Sequence, residues 1–222
     1  MNFLSIFDVI GPNMIGPSSS HTAGAVSMAL VARKMFPEQI CKVSFTLYGS
    51  FAKTYHGHGT DRALLGGILG FATDDARIRD AFDLAKKFGV EYEYVIDEET
   101  IPDHPNTADI HMTGINGYEM MVRGQSIGGG KIKIVRINDI DVEFTGEYCT
   151  LIVKQLDTPG VIAHITQCLS DCNVNIAFMR LFREDKGATA FTVVESDEII
   201  PENILEKIRQ NENVHELMLI QM

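Results

Sequence analysis

Three short stretches of this chain gather residue types that do chemistry. The first is Gly16-Pro17-Ser18-Ser19-Ser20-His21-Thr22, directly ahead of a predicted helix. Unpaired N–H groups at a helix N-terminus attract anions, and Ser and Thr hydroxyls add donors around them. One cap needs one hydroxyl. Four hydroxyls and a histidine exceed that need and point to a small carboxylate or phosphate. The second stretch is Thr54-Tyr55-His56-Gly57-His58-Gly59-Thr60-Asp61, again a loop feeding a helix. Its glycines let a ligand approach the backbone closely. His56 and His58 suit acid/base work or metal ligation. A metal would need a third ligand, His104 or His111, from another segment, so proton transfer or substrate contact fits better. The third stretch, Gln125-Ser126-Ile127-Gly128-Gly129-Gly130-Lys131, lies between two predicted strands. It offers either a carboxylate-binding loop of backbone N–H groups or a plain strand-connecting bulge. It follows neither the P-loop nor the dinucleotide pattern. Pro102-Asp103-His104-Pro105-Asn106 is a stiff polar loop, either a contact or a connector.

Composition narrows the classes. Hydrophobic residues make up 45% of the 222 residues and charged residues 22%, ordinary globular usage. The net charge of −11 argues against a nucleic-acid binder, which needs clustered Lys and Arg to displace counterions. No apolar run is long enough to span a membrane. The N-terminal MNFLSIFDVIGPNM lacks a basic segment followed by a cleavable apolar core, so a cytoplasmic protein with reduced thiols is expected. Of the four cysteines, Cys168 and Cys172 are four apart on a predicted helix, while Cys41 and Cys149 sit in or at the start of predicted strands. None shows the local run of an iron–sulfur motif, so core thiols are expected, with no metal ligand in this chain.

The elements that must position these residues give an expected fold class of α+β with two domains, 1–146 and 147–222. In the first, helices are predicted at about 22–36, 60–71 and 74–88, with strands at 40–48, 91–96, 109–113, 117–123 and 131–137. Helices come early and strands late, which favours α+β over a doubly wound sheet. From Tyr148 the pattern becomes regular: strands at 148–154, 174–183, 188–195 and 214–221, with helices after Pro159 and Pro201. Thr158 is the expected N-cap and Pro159 the first helical residue. Glu184-Asp185-Lys186-Gly187 is read as a hairpin turn. The order β-α-β-β-α-β is the ferredoxin-like unit.

The motifs Ile10-Gly11-Pro12-Asn13-Met14-Ile15-Gly16-Pro17-Ser18-Ser19-Ser20-His21-Thr22, His56-Gly57-His58-Gly59-Thr60-Asp61 and Ser126-Ile127-Gly128-Gly129-Gly130 resemble the β chain of the bacterial iron–sulfur-dependent L-serine dehydratases. The last part, with its Asp157-Thr158-Pro159-Gly160 turn, resembles an ACT regulatory domain. Together the two likenesses cover essentially the whole chain. The resemblance implies deamination of L-serine to pyruvate and ammonia. It implies a 4Fe–4S cluster held by a partner α subunit, whose iron acts as Lewis acid on the substrate hydroxyl, and it leaves room for a monovalent cation.

Carried over by motif, His58 is the implied proton-transfer group at Cα and His21 a second catalytic residue. Ser18, Ser19, Ser20 and Thr22 would bind the substrate carboxylate or shape its pocket. Thr60 and Asp61 would orient His58 or the substrate, and Ser126, Gly128 and Gly129 would contact the substrate. Single-chain relatives carry a lysine at the position of His56 and a second histidine at that of Gly59. The ACT likeness implies an amino-acid effector at Asp157, Thr158 and Gly160, and a homodimer through that domain.

The competing reading is a free-standing sensor of a small carboxylate or amino acid, related to the substrate-sensing domain of some phosphoglycerate dehydrogenases. A metallohydrolase built on His56, His58 and His104 or His111 is the least favoured.

Overall fold

The computed structural model describes residues 13–183 and 185–221. Contacts divide the chain into two units between Asn138 and Asp139. The boundary expected at 146/147 lies a few residues further on.

In the first unit, a π turn (Ser19–Ala23) runs into helix α1 (Gly24–Met35). Strand β1 (Ile40–Tyr48) follows, then the short helix α2 (Gly49–Thr54) and helix α3 (Thr60–Ile68). A 3₁₀ turn (Ala76–Asp80) leads into α4 (Ala81–Phe88). The strands are β2 (Glu91–Asp97), β3 (Thr107–Gly114), β4 (Glu119–Gly128) and β5 (Lys131–Ile137), with β6 (Ile140–Phe144) just past the division. They form one six-stranded sheet in the order β2-β1-β3-β4-β5-β6. β1 is parallel to β2 and antiparallel to β3.

The core lies between sheet and helices. Val43, Phe45 and Leu47 alternate inward from β1, and Val26, Met28, Ala29, Val31, Ala32 and Met35 bury one side of α1. Two glycines set how closely the layers approach. A Cβ on Gly67 of α3 would stand 2.6 Å from both Ala29 Cβ and the Val26 carbonyl, so α1 and α3 cross nearly backbone to backbone. A Cβ on Gly124 of β4 would collide with Met28.

The second unit contains β7 (Cys149–Leu156), α5 (Val161–Ser170), β8 (Phe178–Arg183), β9 (Thr189–Ser196), α6 (Asn203–Ile208) and β10 (Val214–Ile220). Its antiparallel sheet has the order β10-β7-β9-β8. Leu151, Val153 and Val194 pack against Val161, Ile165, Leu169, Ile204 and Ile208 of the two helices. This is the expected ferredoxin-like arrangement, and the chain as a whole is α+β.

One local expectation is corrected. Helix α5 starts at Val161 behind Gly160, whose φ of 93° turns the chain. Thr158 therefore lies too early to cap, and its buried hydroxyl has no partner among the described residues. Among those residues no helix is long and apolar enough to cross a membrane.

Candidate functional site

The site grows from the irregular start of α1. Ser18 is extended, and its Oγ accepts the His21 amide at 3.1 Å. The Gly24 amide reaches back five residues to the Ser19 carbonyl, which makes the segment a π turn; such turns recur at functional sites. The wide turn swings His21 toward α2, where Nε2 lies 3.0 Å from Ser50 Oγ. Ser18 Oγ, already an acceptor, is 3.3 Å from Nδ1 on the other side of the ring. Ser50 is placed by Gly49, whose φ of 57° lets β1 turn directly into α2 beneath the Pro105 carbonyl. The Ser50 amide donates to that carbonyl at 2.6 Å. Ser50 was not among the residues singled out from the sequence.

His58 lies beside His21, with ring centroids 4.8 Å apart. Its Nδ1 is 3.4 Å from the Thr54 carbonyl. A carbonyl only accepts, so Nδ1 carries the proton and Nε2 is left as the basic nitrogen. The Thr22 hydroxyl donates to the His58 carbonyl at 3.1 Å and ties the two motifs together. Burial, and then the neighbouring His58, hold the pKa of His21 below the ordinary histidine value.

Asp61 departs from the expected pairing. Its carboxylate contacts His56 Nδ1 at 2.9 Å, not His58, and also accepts the Arg62 amide at 2.7 Å. Its backbone carbonyl accepts the Tyr94 hydroxyl at 2.6 Å. The Asp61 side chain is 4% exposed and that of His56 80%, so Asp61 braces an exposed ring from below. Thr60 Oγ1 is buried without a partner among the described residues.

Ser126 lies inside β4 rather than in a loop. Its amide donates to the Asn106 carbonyl and its carbonyl accepts from Asn106 Nδ2, so that peptide is not free to bind an anion. Its buried hydroxyl has no partner among the described residues and abuts Gly24, where any Cβ would strike it. Gly128, Gly129 and Gly130 all have positive φ and turn β4 into β5. The polar loop thus has a positioning role. Pro105 and Asn106 hold Ser50 and Ser126, and His104 Nδ1 accepts the Asn106 amide. His111 is exposed on β3.

These elements surround a cavity of about 280 Å³. Ile15, Gly16, Pro17 and Thr22 form one wall, the His56–Gly59 loop a second, and Arg62, Ile78 and Arg79 a third. His58 and Thr22 reach it, while His21, Ser18–Ser20, Ser126 and Gly128–Gly129 do not line it. Two larger depressions, of about 600 and 520 Å³, lie along β2 and hold no histidine or cysteine. The chemistry therefore points to the smaller cavity. Nothing in the periodicity of the chain marks Arg79, and Arg62 is flagged only by its place beside Asp61.

Residues 5–93 match the family described as serine dehydratase beta chain. The probable L-serine dehydratase β chain of Bacillus subtilis is 41% identical over 214 residues, 96% of each chain. The L-serine dehydratase β chain of Peptoniphilus asaccharolyticus is 43% identical over 204 residues, 92% of each. This chain belongs to the serine dehydratase β-chain family. A D-3-phosphoglycerate dehydrogenase of Methanocaldococcus jannaschii is 29% identical over 97 residues, 44% of this chain and 18% of that protein.

In this member of the serine dehydratase β-chain family, residues 150–213 also match the ACT domain. In that domain Asp157 accepts Arg183 Nη1 at 3.1 Å and the Gly187 amide at 3.2 Å, which ties the β7–α5 turn to the β8–β9 hairpin. These contacts hold its pKa below the usual carboxylate value. Thr158 and Gly160 occupy the same turn. The four cysteines are scattered. The Cys41 thiol donates to the Thr113 carbonyl, Cys149 accepts the Ile200 amide, and Cys172 lies 3.6 Å from Lys207 Nζ. Among the described residues no three His, Cys, Asp or Glu side chains are grouped to hold a metal ion.

Proposed function

We propose that this chain is the β subunit of an L-serine dehydratase, working with an α subunit to convert L-serine to pyruvate and ammonia. The observation that carries this reading is the disposition of His58: it reaches a cavity of amino-acid size with Nδ1 committed to a carbonyl and Nε2 left basic. The Cα proton of serine is weakly acidic, and a base must meet it as the β-hydroxyl departs. His58 Nε2 is that base. His21, held between Ser18 and Ser50, supports the His58 ring from behind, and Thr22 fixes the His58 backbone. The donors of this chain do not fit an iron–sulfur cluster, because among the described residues no three thiols are grouped and each stands in its own local contact. The reading therefore assigns the 4Fe–4S cluster, which serves as Lewis acid when bound, to the α subunit.

Mixing the purified chain with cluster-loaded α subunit should give serine-dependent pyruvate, and the chain alone should give none. His58→Ala should lower turnover roughly 10²- to 10⁴-fold, the usual worth of a general base. A wild-type rate in that variant removes His58 from the mechanism. A chain that binds L-serine yet yields no pyruvate with any α subunit would instead be a sensor.

A further inference from the structure

One wall of the His58 cavity carries two arginines, Arg62 from the first turn of α3 and Arg79 from the 3₁₀ turn before α4, and among the described residues no carboxylate lines it. The chain has 30 acidic and 19 basic side chains. A concave surface with two guanidinium groups and no acid stands out against that background, and it concentrates positive potential where a ligand would enter. Two nearby acids, Asp61 and Asp75, are committed elsewhere. Asp61 is buried under His56 and the Arg62 amide. Asp75 closes on Arg77 in a two-pronged pair. Arg79, two residues further on, has no ion pair among the described residues. The Arg62 guanidinium stands 5.3 Å from the Phe82 ring centroid, a cation–π contact that restrains it.

We propose that Arg62 and Arg79 are the carboxylate-specificity residues of this site, gripping the α-carboxylate of a small 2-amino acid while His58 meets its Cα; this rests on the reading of the chain as a serine-lyase subunit. A guanidinium presents paired N–H groups in the plane of a carboxylate and binds it with two parallel bonds. The hydroxyl cluster at Ser18–Ser20, to which carboxylate binding is assigned by motif, does not line the cavity and serves the His21 turn instead. The volume accommodates a three-carbon amino acid.

The test compares wild type, Arg62→Met, Arg79→Met, Arg79→Lys and Arg77→Met chains, each reconstituted with α subunit, on L-serine and on L-serinamide. A lost charge-assisted contact corresponds to roughly 10- to 100-fold in binding. The KM for L-serine should rise by about that factor in Arg62→Met and in Arg79→Met, with kcat within about 3-fold of wild type. Arg79→Lys should fall between wild type and Arg79→Met. Turnover of L-serinamide, which lacks the carboxylate charge, should be alike in all five, and Arg77→Met should match wild type on both substrates. An unchanged KM in both methionine variants, or equal losses on L-serinamide, overturns the assignment. Binding of L-serine to the isolated chain, followed by NMR, separates this proposal from the lyase reading. No pyruvate with α subunit, but L-serine binding that weakens in both methionine variants, sinks the lyase reading and keeps the carboxylate site. Pyruvate production with indifferent arginine variants does the reverse. Neither turnover nor binding sinks both.

Discussion

His21 is where burial, hydrogen bonding and titration meet. Its pKa is lowered by burial and by His58, so the unfolded chain, with an ordinary histidine near 6.5, binds more protons between the two values. Stability contributed by this group is therefore full above about pH 6.5 and is lost as pH falls through the window down to the lowered value. Urea unfolding at pH 5 and pH 7.5 should show that loss, and His21→Gln should flatten part of it. Ser50→Ala, which strands Nε2, should cost about 0.5–1.5 kcal/mol in the same assay at pH 7.5. At this scale much was legible. Ser18, His21 and His58 stand out because hydroxyls and histidines cluster around glycines in short loops. Ser50 did not stand out, since one serine at a strand end has no spacing signature. The partner of Asp61 was also hidden: His56 and His58 are equally plausible in sequence, and the left-handed turn at Gly59 decides between them.

Among the elements, close approaches carry the load. Gly67→Ala would drive a methyl against the Val26 carbonyl and Ala29, neither of which can swing aside as a long side chain would. Overpacking of this kind costs about 1–3 kcal/mol, readable as a lowered urea midpoint. On β9 a different strain exists. Glu195 is 5% exposed, and Oε1 has no partner among the described residues. Burial raises its pKa first of all, with nearby Glu147 and Glu143 adding to the rise, against contacts from Thr145 and Arg180 that lower it. The folded chain thus holds the proton to higher pH than the unfolded one, and stability drops as pH rises through that raised value. Glu195→Gln should raise the melting temperature at pH 8, with the gain shrinking toward pH 4.5. Strand β1 and the ferredoxin-like order were legible because alternation and turn residues recur over many positions. Helix α2 was not, since six residues complete too few turns to show a period. Strand β6 was lost behind the Asn138-Asp139 turn for a similar reason.

For the whole molecule, the decisive contrast is between an acidic chain and one basic concavity. L-serine is a zwitterion without net charge, so the net negative field of the chain acts on it only weakly at long range, and the arginine wall would act locally on its carboxylate. With the α subunit present, KM for L-serine should change less than about 3-fold between 50 and 300 mM salt in wild type, because a zwitterion carries no net charge for salt to screen. Stopped-flow or steady-state assays across that range would show it.

The π turn at Ser19–Ala23 makes the serine run a ruler as well as a set of hydroxyls. The turn holds one residue more than an α-helical turn, and that extra residue is what aims His21 at Ser50. Deleting Ser19 or Ser20 would let the segment relax to the tighter helix and rotate His21 by about 100° around the axis. Replacing either by alanine keeps the count. The length of this segment is thus under tighter constraint than its chemistry, and a one-residue deletion should do more harm than either alanine.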